Sequence, residues 1–223
     1  MQPLKAVLFD LEGTLVDSFY DMQQSLTLLL ADLGRPPLPE PQARAIYDDG
    51  LMSFVEKALK ATGGMPSEDI FPYVKKFILF HRHTLPDPAQ IVAGVVEILR
   101  ALKDQGIKIG LCTNNSEVQA KDLLEKLGLA RYFDFIAGGD TFQVHKPNPG
   151  HLLGALAALG ESVEGSLFIG DGPRDATAAF RAGMPYILIT HGQPLPFEAS
   201  GTMRTVNDFS EIREAVRDLG FVF

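Results

Sequence analysis

A single cysteine, Cys112, stands in a chain of 223 residues, which excludes an internal disulfide and fits a reducing compartment. Basic residues are in deficit, 20 Lys and Arg against 28 Asp and Glu, for a net charge of −8. That balance argues against a general nucleic-acid binder and against a protein drawn to anionic membranes. It still allows an anionic small molecule, provided that the site itself is locally positive. No apolar run approaches the length of a membrane span. Near the start, Lys5 is followed by only four apolar residues before Asp10, so no secretory signal is expected. Internal repeats and low-complexity tracts are missing as well. The expectation is a soluble, cytoplasmic protein. What the chain does have is 46% hydrophobic residues and a length that suits one or two domains around a sizeable core. Cys112 lies within an apolar run and reads as a packing residue, not a nucleophile.

Strand-like apolar runs recur at Ala6–Phe9, Ile107–Cys112, Phe135–Ala137, Leu167–Ile169 and Tyr186–Ile189. Helical patterns separate most of them. Ser116–Leu127 opens with Ser-x-x-Gln, a capping-box pattern, and stops before Gly128. His151–Leu159 follows Asn148-Pro149 and stops before Gly160, and Pro173–Ala182 stops before Gly183. Alternating strands and helices predict a doubly wound parallel sheet, a Rossmann-like α/β core with right-handed crossovers. Ligands bind such sheets beyond the carboxyl ends of the strands. Residues 17–86 break the alternation and read as helices over Tyr20–Leu33, Gln42–Tyr47, Met52–Thr62 and Ile70–His83. Proline-rich joints lie at Arg35–Pro41 and Leu85–Pro88. The predicted organisation is an α/β core of residues 1–16 and 87–223 with an all-helical cap domain, 17–86, inserted after the first strand. A helix over Ile91–Gln105 is expected where the core resumes.

Three of the strand-like runs end in chemistry. LFDLEGTL, Leu8–Leu15, delivers Asp10 and then Glu12, followed by a Gly13-Thr14 turn. IKIGLCTNN ends in Thr113 and Asn114, and LFIGDGPRDA ends in Gly170-Asp171 with Asp175 four residues on. Between them, VHKPNP holds Lys146 before a proline pair. Converging carboxylates are strongly destabilised without a cation, and a hard divalent ion such as Mg²⁺ relieves them. Asp175 alone would read as an ordinary first-turn acid of a helix, and Lys146 alone as a solvated surface lysine. Together with the other segments they read as site residues.

In the order of these four motifs the chain resembles the haloacid-dehalogenase-like hydrolase superfamily, and most closely its phosphoglycolate-phosphatase-like subgroup with a small helical cap. The resemblance covers essentially the whole chain. It implies a Mg²⁺-dependent phosphomonoester hydrolase acting on a small phosphorylated metabolite. Asp10 would be the nucleophile that forms an aspartyl-phosphate. Asp10, Asp171, Asp175 and the backbone carbonyl of Glu12 would surround the metal. Thr113, Asn114 and Lys146 would bind phosphate, joined by backbone N–H groups at the helix start near Ser116. Asp171 is expected to matter more for the metal than Asp175, placed further out.

One position departs from the family pattern: Glu12 stands where the family has aspartate. That carboxylate acts in family phosphatases as acid and then base. The extra methylene moves it by about 1.5 Å, roughly one C–C bond. The readings are an active enzyme with compensated geometry, a slow enzyme with a long-lived phosphoryl intermediate, or a residue altered on purpose. In the cap, Tyr47-Asp48-Asp49-Gly50 resembles the segment that reaches over the family's site, with Arg44, Ser53 and Lys57 as further contacts. His81, Arg82 and His83 are assigned surface or packing roles. Alternative functions are a sugar-phosphate mutase of the same family and a phosphate-binding protein whose turnover is reduced by Glu12. A dehalogenase would leave the Asp171 and Asp175 pair unexplained.

Overall fold

A computed structural model describes residues 1–47, 51–83, 90–192 and 203–223. The chain divides into two compact units, Met1–Asp17 with Ile91–Phe223, and Ser18–Gln90.

The first unit is built on a six-stranded, all-parallel sheet. Its strands are β2 (Ala6–Phe9), β3 (Lys108–Cys112), β4 (Phe135–Ala137), β5 (Ser166–Gly170), β6 (Tyr186–Ile189) and β7 (Met203–Val206), in the order β4-β3-β2-β5-β6-β7. A separate parallel pair joins β1 (Gln2–Pro3) to β8 (Phe221–Val222). The helices are α5 (Val95–Asp104), α6 (Glu117–Lys126), α7 (Gly150–Leu159), α8 (Pro173–Ala182) and α9 (Ile212–Asp218). Side chains alternate across the strands into two apolar layers. Val7, Phe9, Ile109, Leu111, Leu167, Ile169, Ile187 and Ile189 join α5, α6 and α9 on one face. Ala6, Leu8, Cys112, Phe168, Tyr186 and Leu188 join α7 and α8 on the other. Both faces are covered, so β2, β5 and β6 read as continuous buried runs. The sheet and inserted helices are the doubly wound α/β architecture expected. Cys112 is fully buried, with its thiol pushed up to about 12 by burial, as suits a packing residue.

Phe9 pairs with Leu111 on one side and with Ile169 on the other. The chain leaves β4 at the edge and returns on the far side of β2 as β5. This reversal of strand order opens a crevice at the carboxyl ends of β2, β3 and β5, where doubly wound sheets bind ligands.

Three details differ from the sequence reading. The helix expected from Ile91 begins at Val95, because Ile91 instead bridges to Val16, Val92 N–H bonds to Leu15 C=O, and Gly94 turns at φ +85°. Strand β7 was not expected, since its two middle residues are exposed and polar. β1 and β8 have two residues each, too short to show a period.

The second unit holds α1 (Ser18–Asp32), α2 (Glu40–Ala45), α3 (Leu51–Ala61) and α4 (Phe71–His83) around a core of Phe19, Leu26, Leu30, Phe54, Leu59 and Phe77, among others. The Asp48–Gly50 turn, the Leu85–Pro88 joint and the side chains of Arg82 and His83 lie outside the described residues. His81 has a packing role, stacked on Phe77 with Nδ1 3.1 Å from Ser25 Oγ. Arg44 lies over the Phe19 ring and pairs with Glu40 at 3.1 Å. Among the described residues, no helix is long and apolar enough to cross a membrane.

Candidate functional site

Asp10 follows directly on β2, and its backbone N–H bonds to the Ile169 carbonyl at 2.9 Å. Parallel pairing therefore carries Asp10 and the end of β5 to the same level, and Asp171 emerges beside it. Asp175 is brought back by α8. Gly172 caps this helix, Pro173 supplies its first turn, and Asp175 Oδ2 accepts from the N–H groups of Asp171 and Gly172, each at 3.3 Å. Ligand atoms of Asp10, Asp171 and Asp175 lie within 4.8 Å of one another.

Two glycines make this closeness feasible. A Cβ on Gly13, which has φ +80°, would fall 2.2 Å from Asp171 Oδ2. A Cβ on Gly170 would fall 2.4 Å from Asp175 Oδ2. Neither distance is compatible with a side chain.

Lys146 is 3% exposed, not a surface lysine. Its Nζ donates to Asp10 Oδ1 at 2.5 Å and to Asp175 Oδ1 at 2.7 Å, above the Phe168 ring. Burial pulls its pKa down, but Asp10 and Asp175 more than reverse this, so the ammonium is held protonated. Burial, aided by Asp175 and Asp171 against the pull of Lys146, pushes Asp10 up to about 8. Burial and then Asp175 push Asp171 up to about 6, opposed by the Thr14 hydroxyl, which donates to Asp171 Oδ1 at 3.2 Å. Three acids share one lysine, leaving an excess of negative charge that a divalent cation would neutralise. The donors are all carboxylate oxygens, the set that hard cations prefer. The cluster is positioned to hold a metal.

Asp175 is more buried than Asp171. It is 4% exposed and lies between the lysine and the turn amides. Thr113, at the end of β3, is also buried, and its Oγ1 accepts from Asn115 N–H at 3.2 Å. Asn114 differs from expectation: its amide donates to the Lys146 carbonyl at 2.9 Å, so it holds the lysine loop. Two of the N–H groups at the start of α6 are also engaged. Asp140 takes that of Glu117 at 2.7 Å and Ser116 Oγ that of Gln119 at 3.3 Å. Glu12 is exposed, outside the carboxylate cluster, and its side chain makes no hydrogen bond or ion pair among the described residues. Sequence reasoning passed over Thr14, whose signal was its place directly after Gly13. It also passed over His191, whose Nε2 donates to the Gly13 carbonyl at 2.6 Å.

Residues 4–183 match the family profile of the haloacid dehalogenase-like hydrolases. The chain belongs to this family. A phosphoglycolate phosphatase of Agrobacterium fabrum is 35% identical over 212 residues, 94% of this chain and 91% of its own. A phosphoglycolate phosphatase of Rhodospirillum rubrum is 35% identical over 214 residues, 93% of this chain and 89% of its own. The crystal structure of a hydrolase of the same superfamily from Geobacter sulfurreducens superimposes with a TM-score of 0.74 at 26% identity, covering 95% of each chain. The protein is a phosphatase of the aspartate-nucleophile type, acting on a small phosphorylated metabolite, with the Asp10, Asp171 and Asp175 cluster at its centre.

Proposed function

We propose that this phosphatase is a Mg²⁺-dependent phosphoglycolate phosphatase in which Asp10 is the nucleophile. The observation that carries the reading is the buried Lys146 bridging Asp10 and Asp175 at the strand ends. The lysine keeps an Asp10 oxygen fixed and partly neutralised, so that the other can attack phosphorus without rotation of the carboxyl. Asp10, Asp171 and Asp175, with the backbone carbonyl of Glu12, would hold Mg²⁺. When bound, the ion supplies positive charge that lets an anionic phosphate approach anionic carboxylates.

In the first step the Asp10 oxygen bonds to phosphorus and the ester P–O bond breaks. Glu12, as acid, gives its proton to the leaving alkoxide. In the second step water attacks the same phosphorus, Glu12 takes its proton, and the aspartyl P–O bond breaks to return Asp10. Thr113 and Lys146 contact the phosphate oxygens, and Asn114 fixes the loop that carries Lys146. The exposure of Glu12 suits a group that must meet both a leaving alkoxide and a water. None of the described residues favours a mutase over a hydrolase.

The test is phosphate release across a panel of small phosphate esters, with Mg²⁺ and with excess chelator. Phosphoglycolate should lead the panel, and chelation should stop release. Equal activity in chelator would end the metal assignment, and a different leading ester would end the substrate assignment.

A further inference from the structure

His191 is the one non-glycine with positive φ among the described residues, at +51°. Gly192 beside it adopts +73°. A left-handed backbone carries a cost that glycine escapes. Side chains kept at such positions point toward a function for the side chain itself. The base under His191 is firm. Thr190 N–H bonds to the Val206 carbonyl at 2.9 Å, at the end of the strand that β6 pairs with. From there the imidazole reaches 178 residues back along the chain, and Nε2–H donates to the Gly13 carbonyl at 2.6 Å.

Gly13 sits in the middle of the loop that carries Glu12. Within the loop, Gly13 N–H bonds to Val16 C=O at 2.8 Å. Next to Gly13, the Thr14 hydroxyl holds Asp171 at 3.2 Å. These bonds hold the loop against Asp171 of the carboxylate cluster. The Gly13–Thr14 peptide is also held by the imidazole, through the Gly13 carbonyl. Glu12 itself has no side-chain partner among the described residues, so its position is set by its backbone alone.

We propose that His191 is a positioning residue that fixes the backbone of Glu12 through the Gly13 carbonyl, so that the longer acid reaches the water that attacks the aspartyl-phosphate. This rests on the reading of Glu12 as acid and base given above. The attack of water needs a base aligned with phosphorus. Transfer of phosphate from an activated aryl ester needs little help from an acid, because its leaving group is already stable. Loss of the clamp should therefore slow the second step and spare the first.

The experiment is stopped-flow turnover of an aryl phosphate by the full-length protein with Mg²⁺. It compares wild type, His191→Gly and His191→Gln, each alone and combined with Glu12→Gln, alongside thermal melts. His191→Gly should lower the steady rate about tenfold, the rate equivalent of one lost hydrogen bond, while the burst rate and KM stay within about twofold. Its melting temperature should equal or exceed that of wild type, because glycine relieves the left-handed backbone. His191→Gln, whose amide can reach the same carbonyl, should recover most of the rate. In the Glu12→Gln background, His191→Gly should change nothing further. A wild-type steady rate in His191→Gly would overturn the proposal. So would an undiminished loss in the Glu12→Gln background, or a melting temperature that falls in step with the rate. If Glu12→Gln alone turns over like wild type, the acid/base reading fails, and the proposal with it. A slow Glu12→Gln beside a normal His191→Gly strikes the clamp alone.

Discussion

Along the buried side of the crevice, Asp10, Lys146 and Asp175 form an unbroken charged chain with contacts of 2.5 and 2.7 Å. Along its open side, Asp171 rests on the neutral hydroxyl of Thr14, and Glu12 on no side chain among the described residues. Both sides are acidic, and they lie within one short loop or helical turn of each other in sequence. The difference is in what removing a charge leaves behind. On the buried side, removing the lysine strands two carboxylates in a low dielectric, so chemistry and folding are tied together there. On the open side water can take over, so the acids there can be tuned for rate or metal affinity at little cost in stability.

The sharpest break of this comparison is Asp10→Asn. The amide is nearly isosteric but cannot attack phosphorus. Turnover should fall by at least about 10⁴-fold, the scale seen when a nucleophile is removed, with the fold retained. Phosphate release by a purified preparation, with a melt as control, checks it.

Lys146→Ala should be the variant that loses both properties. It leaves Asp10 and Asp175 buried without their cation, at a cost of about 3 kcal/mol in stability. Turnover should fall about 10³-fold, since the fixed charge on nucleophile and phosphate goes too. Denaturant unfolding and steady-state kinetics on the same sample separate the two losses. A stable, active variant would show that the lysine is not coupled to the cluster.

On the open side, Glu12→Gln should leave stability within about 0.5 kcal/mol, as for other surface changes. It should slow turnover of an aryl phosphate about a hundredfold, with a burst of one equivalent before the slow phase. Glu12→Asp should raise turnover if the extra methylene is a handicap. A fall would show that the site is built around glutamate.

Asp171 and Asp175 give the most direct contrast, since one lies on each side. Asp175→Asn breaks the Lys146 ion pair and weakens the cap on α8, at a cost of about 2 kcal/mol. Asp171→Asn loses one hydrogen bond from Thr14 and should cost under about 1 kcal/mol. Both should weaken Mg²⁺ binding, measured by calorimetry. Equal stabilities would erase the distinction between the sides.

The division also marks what was legible in the chain. Asp10 and Asp171 could be read because each ends an apolar run, and a strand end in a parallel sheet has a fixed address. Asp175 could be found but not ranked, since a first-turn acid looks the same whether it faces solvent or a buried lysine. Lys146 had no burial signal of its own: its segment is polar and proline-rich, and only packing against Phe168 and two carboxylates removes it from water. The helix amides expected near Ser116 were a local inference, and it could not foresee that Asp140, from the loop after β4, takes the Glu117 N–H. Where spacing along the chain decides, the sequence was sufficient. Where a partner comes from a distant loop, as with His191 and Gly13, no periodicity reports it.

The one effect expected on stability without a change in the chemistry lies behind the buried side, at His151 on α7. The ring is fully buried, Nε2 donates to the Gly138 carbonyl at 3.1 Å, and Nδ1 has no hydrogen-bond partner among the described residues. Burial, reinforced by the nearby Lys146 charge, lowers its pKa from 6.5 to about 4. In the unfolded chain the imidazole takes up a proton near pH 6.5, whereas in the folded protein it resists until about pH 4. Between these values the unfolded state binds more protons, so stability rises with pH there. The contribution is complete above pH 6.5, shrinks as the pH falls, and is gone near pH 4, a span of up to about 3 kcal/mol. The carboxylates titrate over part of the same window, so wild type alone does not isolate the ring. His151→Gln keeps a donor for the Gly138 carbonyl and removes the titration. The stability difference between wild type and His151→Gln, from urea unfolding at several pH values, should be steady above pH 6.5 and shift against wild type toward pH 4. A difference that stays level across the whole range would mean that the histidine is as easily protonated in the fold as outside it. The wall behind Lys146 would then be open to a second positive charge.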